Sequence, residues 1–469
     1  MSRINTNVSS LIAQRVLKKN NDGLNTSLQR LSTGLKINTG ADNPAGLIAS
    51  ENLRAEKVGI TTAIDNAERA SNIIGTAEGG LNEVSSLLTE LQSLVGQAAN
   101  SGGLSPEEVN ADQLQVDSIL QTINRIAQST AFQGTKLLNG NYDYTTSSVA
   151  ASATQNLTVN SARIPDGAKV GIVVQVVTSA QTGRLTYTGG AVAGTTVTLE
   201  ISGNSGTEQL SFASGTTVSS IATSINSVKN ATGVSATVAG GTLTVASTGF
   251  GAKQFVGVRA LTGTFTGLST TKDYGADANI TVNGAKAQTD GLKVSYRSSN
   301  LDIEFDLNKT ANFNNSIKTF GVIGGGATFA LGSKVTETDK ASIGISSVST
   351  GSLGDAGIGF LSSVGSGGTN SLTSTNLVNA QKILDKAVKQ VSGIRGRLGA
   401  FQKFTIGSTI NSLGVAFENA SAAESAIRDT DFASETANLT RNQILSQAAS
   451  TVLSQANSSP QAALRLLQG

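Results

Sequence analysis

From residue 60 to residue 98 an apolar side chain returns at steps of mostly four and three, and this constrains the fold more than any other feature of the chain. The stripe runs Ile60, Ile64, Ala67, Ile74, Ala77, Leu81, Val84, Leu88, Leu91, Val95 and Ala98. That spacing places a narrow apolar seam along one side of an α-helix. A helix of about 50 residues is roughly 80 Å long at 1.5 Å per residue, too long to be folded around by a compact core. It must instead be covered along its length by other helices.

The flanking sequence supplies the expected punctuation. Asp42-Asn43-Pro44 places a capping side chain before a proline at the first helical position, so a helix starts there. Gly102-Gly103 predicts a chain reversal, and Ser105-Pro106-Glu107-Glu108 reads as a capping box that opens a further helix with Val109, Val116, Leu120, Ile123 and Ala127 on one face. Ahead of these, Val8, Leu11, Leu17, Leu24, Leu28, Leu31 and Leu35 form a looser stripe. The last hundred residues repeat the style, with Leu377, Ala380, Leu384, Ala387, Val391, Ile394, Leu398 and Phe401 in unbroken 3,4 steps. A later stripe of Leu445, Ala449, Val452 and Ala456 follows, Ser459-Pro460 interrupts it, and Leu464 and Leu467 close it.

Between about 146 and 370 the period changes to two. Residues 195–201, 241–245 and 301–307 alternate apolar and polar, as half-buried strands do, and Asn283-Gly284 marks a hairpin turn. One short helix is expected around Val218, Ile221, Ile225 and Val228. Nine of the 14 Phe lie between 212 and 360, so this zone should own its aromatic cores. The predicted class is α+β: a long helical coiled-coil or rod built from both termini, carrying a β-rich (α+β) central insertion of one or two subdomains.

Composition narrows the function. The chain has no His and no Cys, which removes the commonest general base, the commonest zinc ligand and all thiol chemistry. A formal net charge of +2 gives no reason to expect nucleic acid or an anionic membrane as partner. No apolar run reaches the 18–20 residues or so that span a bilayer, and the first twenty residues lack the apolar core of a cleaved signal. No catalytic residue, cofactor or metal site is expected. Asp302, Glu304 and Asp306 read as a solvated strand face rather than a Ca²⁺ site, and Gly324-Gly325-Gly326 lacks the Lys and helix of a phosphate loop.

The terminal stripes are thin. Residues 1–42 and 431–469 contain one aromatic, Phe432, and much Ala, Ser and Asn. At about 25 cal/mol per Å² of apolar burial, such helices offset little of the 1–2 kcal/mol or so per residue that backbone ordering costs. They are expected to order only against neighbours, and identical subunits can supply them.

At this point the motifs show a likeness. Arg30-Leu31-Ser32-Thr33-Gly34-Leu35-Lys36-Ile37-Asn38 with Asp42-Asn43-Pro44-Ala45-Gly46 resembles the N-terminal signature of bacterial flagellins. Residues 131–138 resemble the family segment that ends the first helical block, and Ser446-Gln447-Ala448, Val452-Leu453-Ser454-Gln455-Ala456-Asn457 and Pro460 resemble its C-terminal signature. The likeness implies a structural subunit of the flagellar filament. It implies that 1–42 with 431–469 form a terminal coiled-coil domain in the filament core, 43–168 with 371–430 a helical rod domain, and 169–370 variable outer domains facing solvent. It also implies export through the flagellar type III apparatus with a chaperone, no cleaved signal, an extracellular location, and contact with hook-associated and cap proteins. Leu466-Leu467-Gln468-Gly469 departs from the family's usual Leu-Leu-Arg ending.

Candidate site residues follow. Leu24, Leu28, Leu31, Leu35, Leu445, Ala449, Val452, Ala456, Leu464 and Leu467 are the expected assembly seam. Leu88, Glu90, Leu91, Leu94 and Gln115 match the family's rod-packing region, where a host Toll-like receptor grips some members. The resemblance implies an Arg where Glu90 stands and a Glu near Gln115; both changes predict weak receptor activation. Arg30, Asp42 and Arg441 are expected to fix subunit register. Two alternatives remain: a hook–filament junction protein, which shares the N-terminal pattern but usually not the C-terminal one, and a non-flagellar coiled-coil adhesin, which would lack the paired signatures.

Overall fold

The computed structural model describes residues 6–100, 103–150, 152–165, 168–189, 192, 195–265, 271–374 and 376–468, with side chains described as far as Ser459. Two compact units are present. One comprises residues 1–68, 330–339 and 406–469, and the other comprises 69–329 and 340–405.

The first unit is helical. α1 (Val8–Thr33) opens where the Asn7 side chain accepts from the Ser10 amide, and it ends at Gly34, whose φ of 74° suits glycine. α2 (Pro44–Ala98) begins in this unit, with the Asn43 carboxamide accepting from the Gly46 amide at 3.0 Å. Its buried positions here are Ser50, Ile60, Ala63 and Ala67; Ile64 is only half-buried, so the seam shifts by one residue from the expected stripe. α7 (Ser408–Arg428) and α8 (Phe432–Gln468) complete the unit. α8 runs through Pro460, where an interruption was expected.

In the second unit, α2 continues its 3,4 pattern through Ala70, Ile74, Ala77, Leu81, Val84, Leu88, Leu91, Val95 and Ala98, all buried. α3 (Pro106–Ser129) has the complete capping box, with the Ser105 hydroxyl accepting from the Glu108 amide and the Glu108 carboxylate accepting from the Ser105 amide. Of the expected Gly102-Gly103 reversal, Gly102 lies outside the described residues. α6 (Leu377–Ala400) buries Ala380, Leu384, Ala387, Val391, Ile394 and Leu398 and passes into a π-helical stretch, Phe401–Gly407. After α3, Ala131–Phe132 and Thr135–Lys136 form a small hairpin.

The insertion has two cores. In the first, a five-stranded sheet (order Ala285–Lys286, Asn279–Val282, Val170–Thr178, Ser316–Gly325, Tyr144–Ser147) and a four-stranded sheet (order Gln288–Asp290, Lys293–Arg297, Leu301–Leu307, Thr154–Ala162) enclose Ile172, Val174, Ile280, Ile303, Phe305 and Phe320. The strand Leu301–Leu307 alternates buried and half-buried residues as its pattern demands. In the second core, α4 (Val218–Ser227) and the single-turn α5 (Lys229–Thr232) accompany a three-stranded and a four-stranded sheet around Leu199, Ile201, Ile221, Leu243 and Val256. Asn283 and Gly284 turn with φ of 50° and 82°, the left-handed pair that a tight hairpin needs.

The structure moves both edges of the insertion. Tyr144–Ser147 and Thr154–Ala162 pair with insertion strands, so the β-rich part begins before 168, near residue 144. At the far edge, residues 345–374 pack on α3 and α6. Gln113 donates to the Val364 carbonyl and accepts from the Leu372 amide, Asn124 holds Thr350, and Gln390 holds Gly354 through both its amide groups. This Gly- and Ser-rich collar, which reads as insertion by composition, is clamped onto α3 and α6.

Candidate assembly surface

α1 and α8 run antiparallel, and the faces they turn to each other repeat every 3,4 residues. On α1 the face is Ser10, Ala13, Leu17, Asn20, Leu24, Ser27 and Leu31; on α8 it is Glu435, Leu439, Asn442, Ser446, Ala449, Leu453 and Ala456. Every one of these is buried or half-buried. The seam is narrow and mixes Leu and Ala with small polar residues. A Cβ at Gly23 would come within 3.2 Å of the Asn442 carboxamide, which shows how closely the helices approach.

Small polar side chains set the register. Asn7 donates to the Ala456 carbonyl at 2.7 Å, Ser10 to the Asn457 side chain at 2.7 Å, Asn20 to the Leu445 carbonyl at 3.1 Å, and Ser446 to the Asn21 side chain at 2.7 Å. Arg30 meets the largely buried Glu435 at 3.7 Å. Past the helix end, Lys36 donates its amide to the Arg428 carbonyl and Thr430 donates to Gly34, closing the unit with a short antiparallel bridge between Leu35 and Asp429.

Other large aliphatics of the two helices stay outside the seam. Val8, Leu11, Ile12, Val16, Leu28, Ile444, Leu445 and Val452 are exposed, with Leu28 at 48% and Val452 at 58%. Four described members of the expected seam, Leu24, Leu31, Ala449 and Ala456, therefore lie between α1 and α8. Leu28, Leu445 and Val452, also expected in the assembly seam, stay outside the α1–α8 contact and are exposed in the single chain. Leu35 sits half-buried at the bridge, and the side chains of Leu464 and Leu467 lie outside the described residues.

The remaining candidates separate by burial. Leu88 and Leu91 have no exposed surface and Leu94 has 6%, so the chain's own packing consumes them and they are not an open receptor surface. Glu90 and Gln115 are exposed. Arg30 binds Glu435 within the chain. Asp42 organises its own loop by accepting from the amides of Thr39 and Asn38, and these hydrogen bonds hold its pKa below the ordinary carboxylate value. Arg441 is exposed. Of the three expected register residues, Arg30 and Asp42 thus have intrachain work.

The acidic strand face is ion-paired. Arg297 reaches Asp302 at 3.5 Å and Glu304 at 3.2 Å, Lys293 reaches Glu304 at 3.6 Å, and Asn156 donates to Asp306 at 2.8 Å. Among the described residues no group of three or more His, Cys, Asp or Glu is placed to hold a metal, and no helix is long and apolar enough to cross a membrane. Gly325 and Gly326 have φ of 93° and 79°, and a Cβ at either would strike Asp143 or Tyr144. Strand geometry therefore accounts for that glycine run.

Sequence reasoning missed Ser10, Ala13, Asn20, Ser27, Asn442 and Ser446. Their one signal was the 3,4 spacing of small polar residues, which hydrophobicity does not register.

Comparison with known proteins agrees with this arrangement. Residues 4–143 match the bacterial flagellin N-terminal helical region, 381–467 the flagellin C-terminal helical region, and 198–249 the flagellin hook IN motif, which covers most of the second core. Flagellin B of Vibrio cholerae serotype O1 is 31% identical over 477 residues, covering 99% of each chain. Polar flagellin B/D of Vibrio parahaemolyticus is 31% identical over 464 residues, and flagellin B of Helicobacter pylori 28% over 527, again with 99% of each chain covered. With identity of this extent along its whole length, and helical regions matched at both ends, the chain belongs to the bacterial flagellins.

Proposed function

We propose that this filament subunit polymerises through the outward aliphatic face of α1 and α8, burying Val8, Leu11, Ile12, Val16, Leu28, Ile444, Leu445 and Val452 against other copies. One observation carries the reading: the α1–α8 pair encloses five Leu among small polar residues and still leaves Val8, Leu11, Ile12, Val16, Leu28, Ile444, Leu445 and Val452 in solvent. Eight exposed large aliphatics on one helix pair are costly in water and typical of an interface. The intrachain seam is weak, so the pair is only marginally helical alone and gains order on assembly. Circular dichroism of monomer and seeded polymer tests this: helix content should rise on polymerisation, and identical spectra would oppose it. Electron microscopy separates this reading from a junction protein, since long filaments are expected and short oligomers are not.

The role is structural, not catalytic. The filament is extracellular; delivery by the type III apparatus with a chaperone and without a cleaved signal, and end contacts with hook-associated and cap proteins, follow from the family reading. Activation of a host Toll-like receptor is expected to be weak, because Glu90 puts a negative charge where the family offers an Arg and because Leu94 is enclosed.

A further inference from the structure

Two clefts flank Arg397 of α6, and they differ in charge. The smaller, about 450 Å³, balances Lys293, Lys386, Lys389 and Arg397 against Asp143, Glu304, Asp306 and Asp355. The larger, about 730 Å³, brings Arg163, Arg297, Lys340 and Arg397 together, with Asp302 the one acidic residue among its described lining. Arg163 and Arg397 there share a concave site, where low-dielectric walls focus the field of the cations.

The centre of this cleft is built rather than incidental. Asn160 is 2% exposed, donates to Asp302 at 3.0 Å and accepts from the Arg397 guanidinium, so it fixes both charged groups. Arg397 Nε is buried without a hydrogen-bond partner. Burial pushes the Arg397 pKa down, against the pull of Asp302, Glu304 and Asp143, so this cation is under-solvated where it stands. Among the described residues Arg163 has no carboxylate partner, whereas Arg297 is already engaged by Asp302 and Glu304. The rim adds two rings from the π-helical stretch: Phe401, 6.2 Å from the Phe329 ring, and Phe404, which is 69% exposed. A π-helical turn is an uncommon conformation and often marks a working surface.

We propose that this cleft binds an organic oxyanion, with its phosphate or carboxylate held by Arg163 and Arg397 and its ring or apolar portion lying on Phe401 and Phe404. Guanidinium groups match such oxyanions with paired N–H donors, and the exposed ring supplies a stacking face. The inference is independent of polymerisation and is tested on the monomeric full-length chain.

The test is calorimetric titration at low ionic strength with phenyl phosphate and, separately, inorganic phosphate. Saturable one-to-one binding is expected, with phenyl phosphate about fivefold tighter and both weakened by added salt. Arg163→Gln and Arg397→Gln should each weaken phenyl phosphate at least tenfold. Arg163, which has no ion pair among the described residues, is the variant expected to leave folding intact. No saturable binding of either probe, or wild-type affinity in Arg163→Gln, overturns the site. Equal affinity for the two probes overturns the part given to the rings.

Discussion

Leu28→Asp separates the outward face from the fold. Leu28 is 48% exposed on the side of α1 away from α8, so about half of its side chain remains to be buried by a neighbouring copy. Full burial of Leu is worth about 1.5–3 kcal/mol, which leaves roughly 1 kcal/mol to be lost at each contact. Enclosing an unpaired carboxylate there adds about 3 kcal/mol more. A total of about 4 kcal/mol corresponds to a critical concentration raised about a thousandfold. The monomer should change by no more than about 0.5 kcal/mol, because the position already meets water. Pelleting of seeded polymer across a concentration series measures the first quantity, and denaturant unfolding of the monomer measures the second. Leu261→Asp, at a 39% exposed position on the strand Phe255–Thr262, is the matched control and should assemble normally. If Leu28→Asp pelleted at the wild-type critical concentration, the outward-face reasoning would be refuted.

Three further outcomes are expected. Gln113→Ala strands the Val364 carbonyl and the Leu372 amide and should cost about 2–4 kcal/mol in unfolding experiments; a loss under about 0.5 kcal/mol would mean the collar is not clamped there. Burial pushes Asp117 and Asp355 up, but Ser366 and Gln113 for the first, and Lys386 with the Gly357 and Ile358 amides for the second, more than offset it, so both folded pKa values are depressed. Their stabilisation is therefore present above the unfolded value near 4 and lost as pH falls through the folded values; Asp355→Asn should flatten the acid limb of stability against pH, and an unchanged limb would contradict this. Reporter cells carrying the host receptor should respond weakly, and potency like that of strong agonists would count against the roles given to Glu90 and Leu94.

The long stripe of α2 was legible because its buried positions are Ile, Leu, Val and Ala, whose pattern and burial coincide. The capping box at Ser105, the strand Leu301–Leu307 and the Asn283-Gly284 turn were legible for the same reason: local chemistry and global fold agree there. The α1–α8 seam was not. Its contacts mix Leu with Ser, Asn and Ala, while other Leu, Ile and Val of the same helices stay exposed, so hydrophobicity alone does not separate the intrachain side from the exposed one. The clamping of the collar at 345–374 was not legible because Gly and Ser read as loop, and no local signal reveals that Gln113, Asn124 and Gln390 clamp it from helices hundreds of residues away or nearby. The basic cleft gathers Arg163, Arg297, Lys340 and Arg397 from distant segments, and only the folded chain brings them together.

The chain contains no cysteine, so a single introduced thiol reports its own surroundings without background. Val452→Cys, at an outward position, should react with a maleimide in the monomer and be shielded in the filament, while Leu261→Cys should react in both. Equal labelling of Val452→Cys before and after polymerisation would show that other copies do not cover this face.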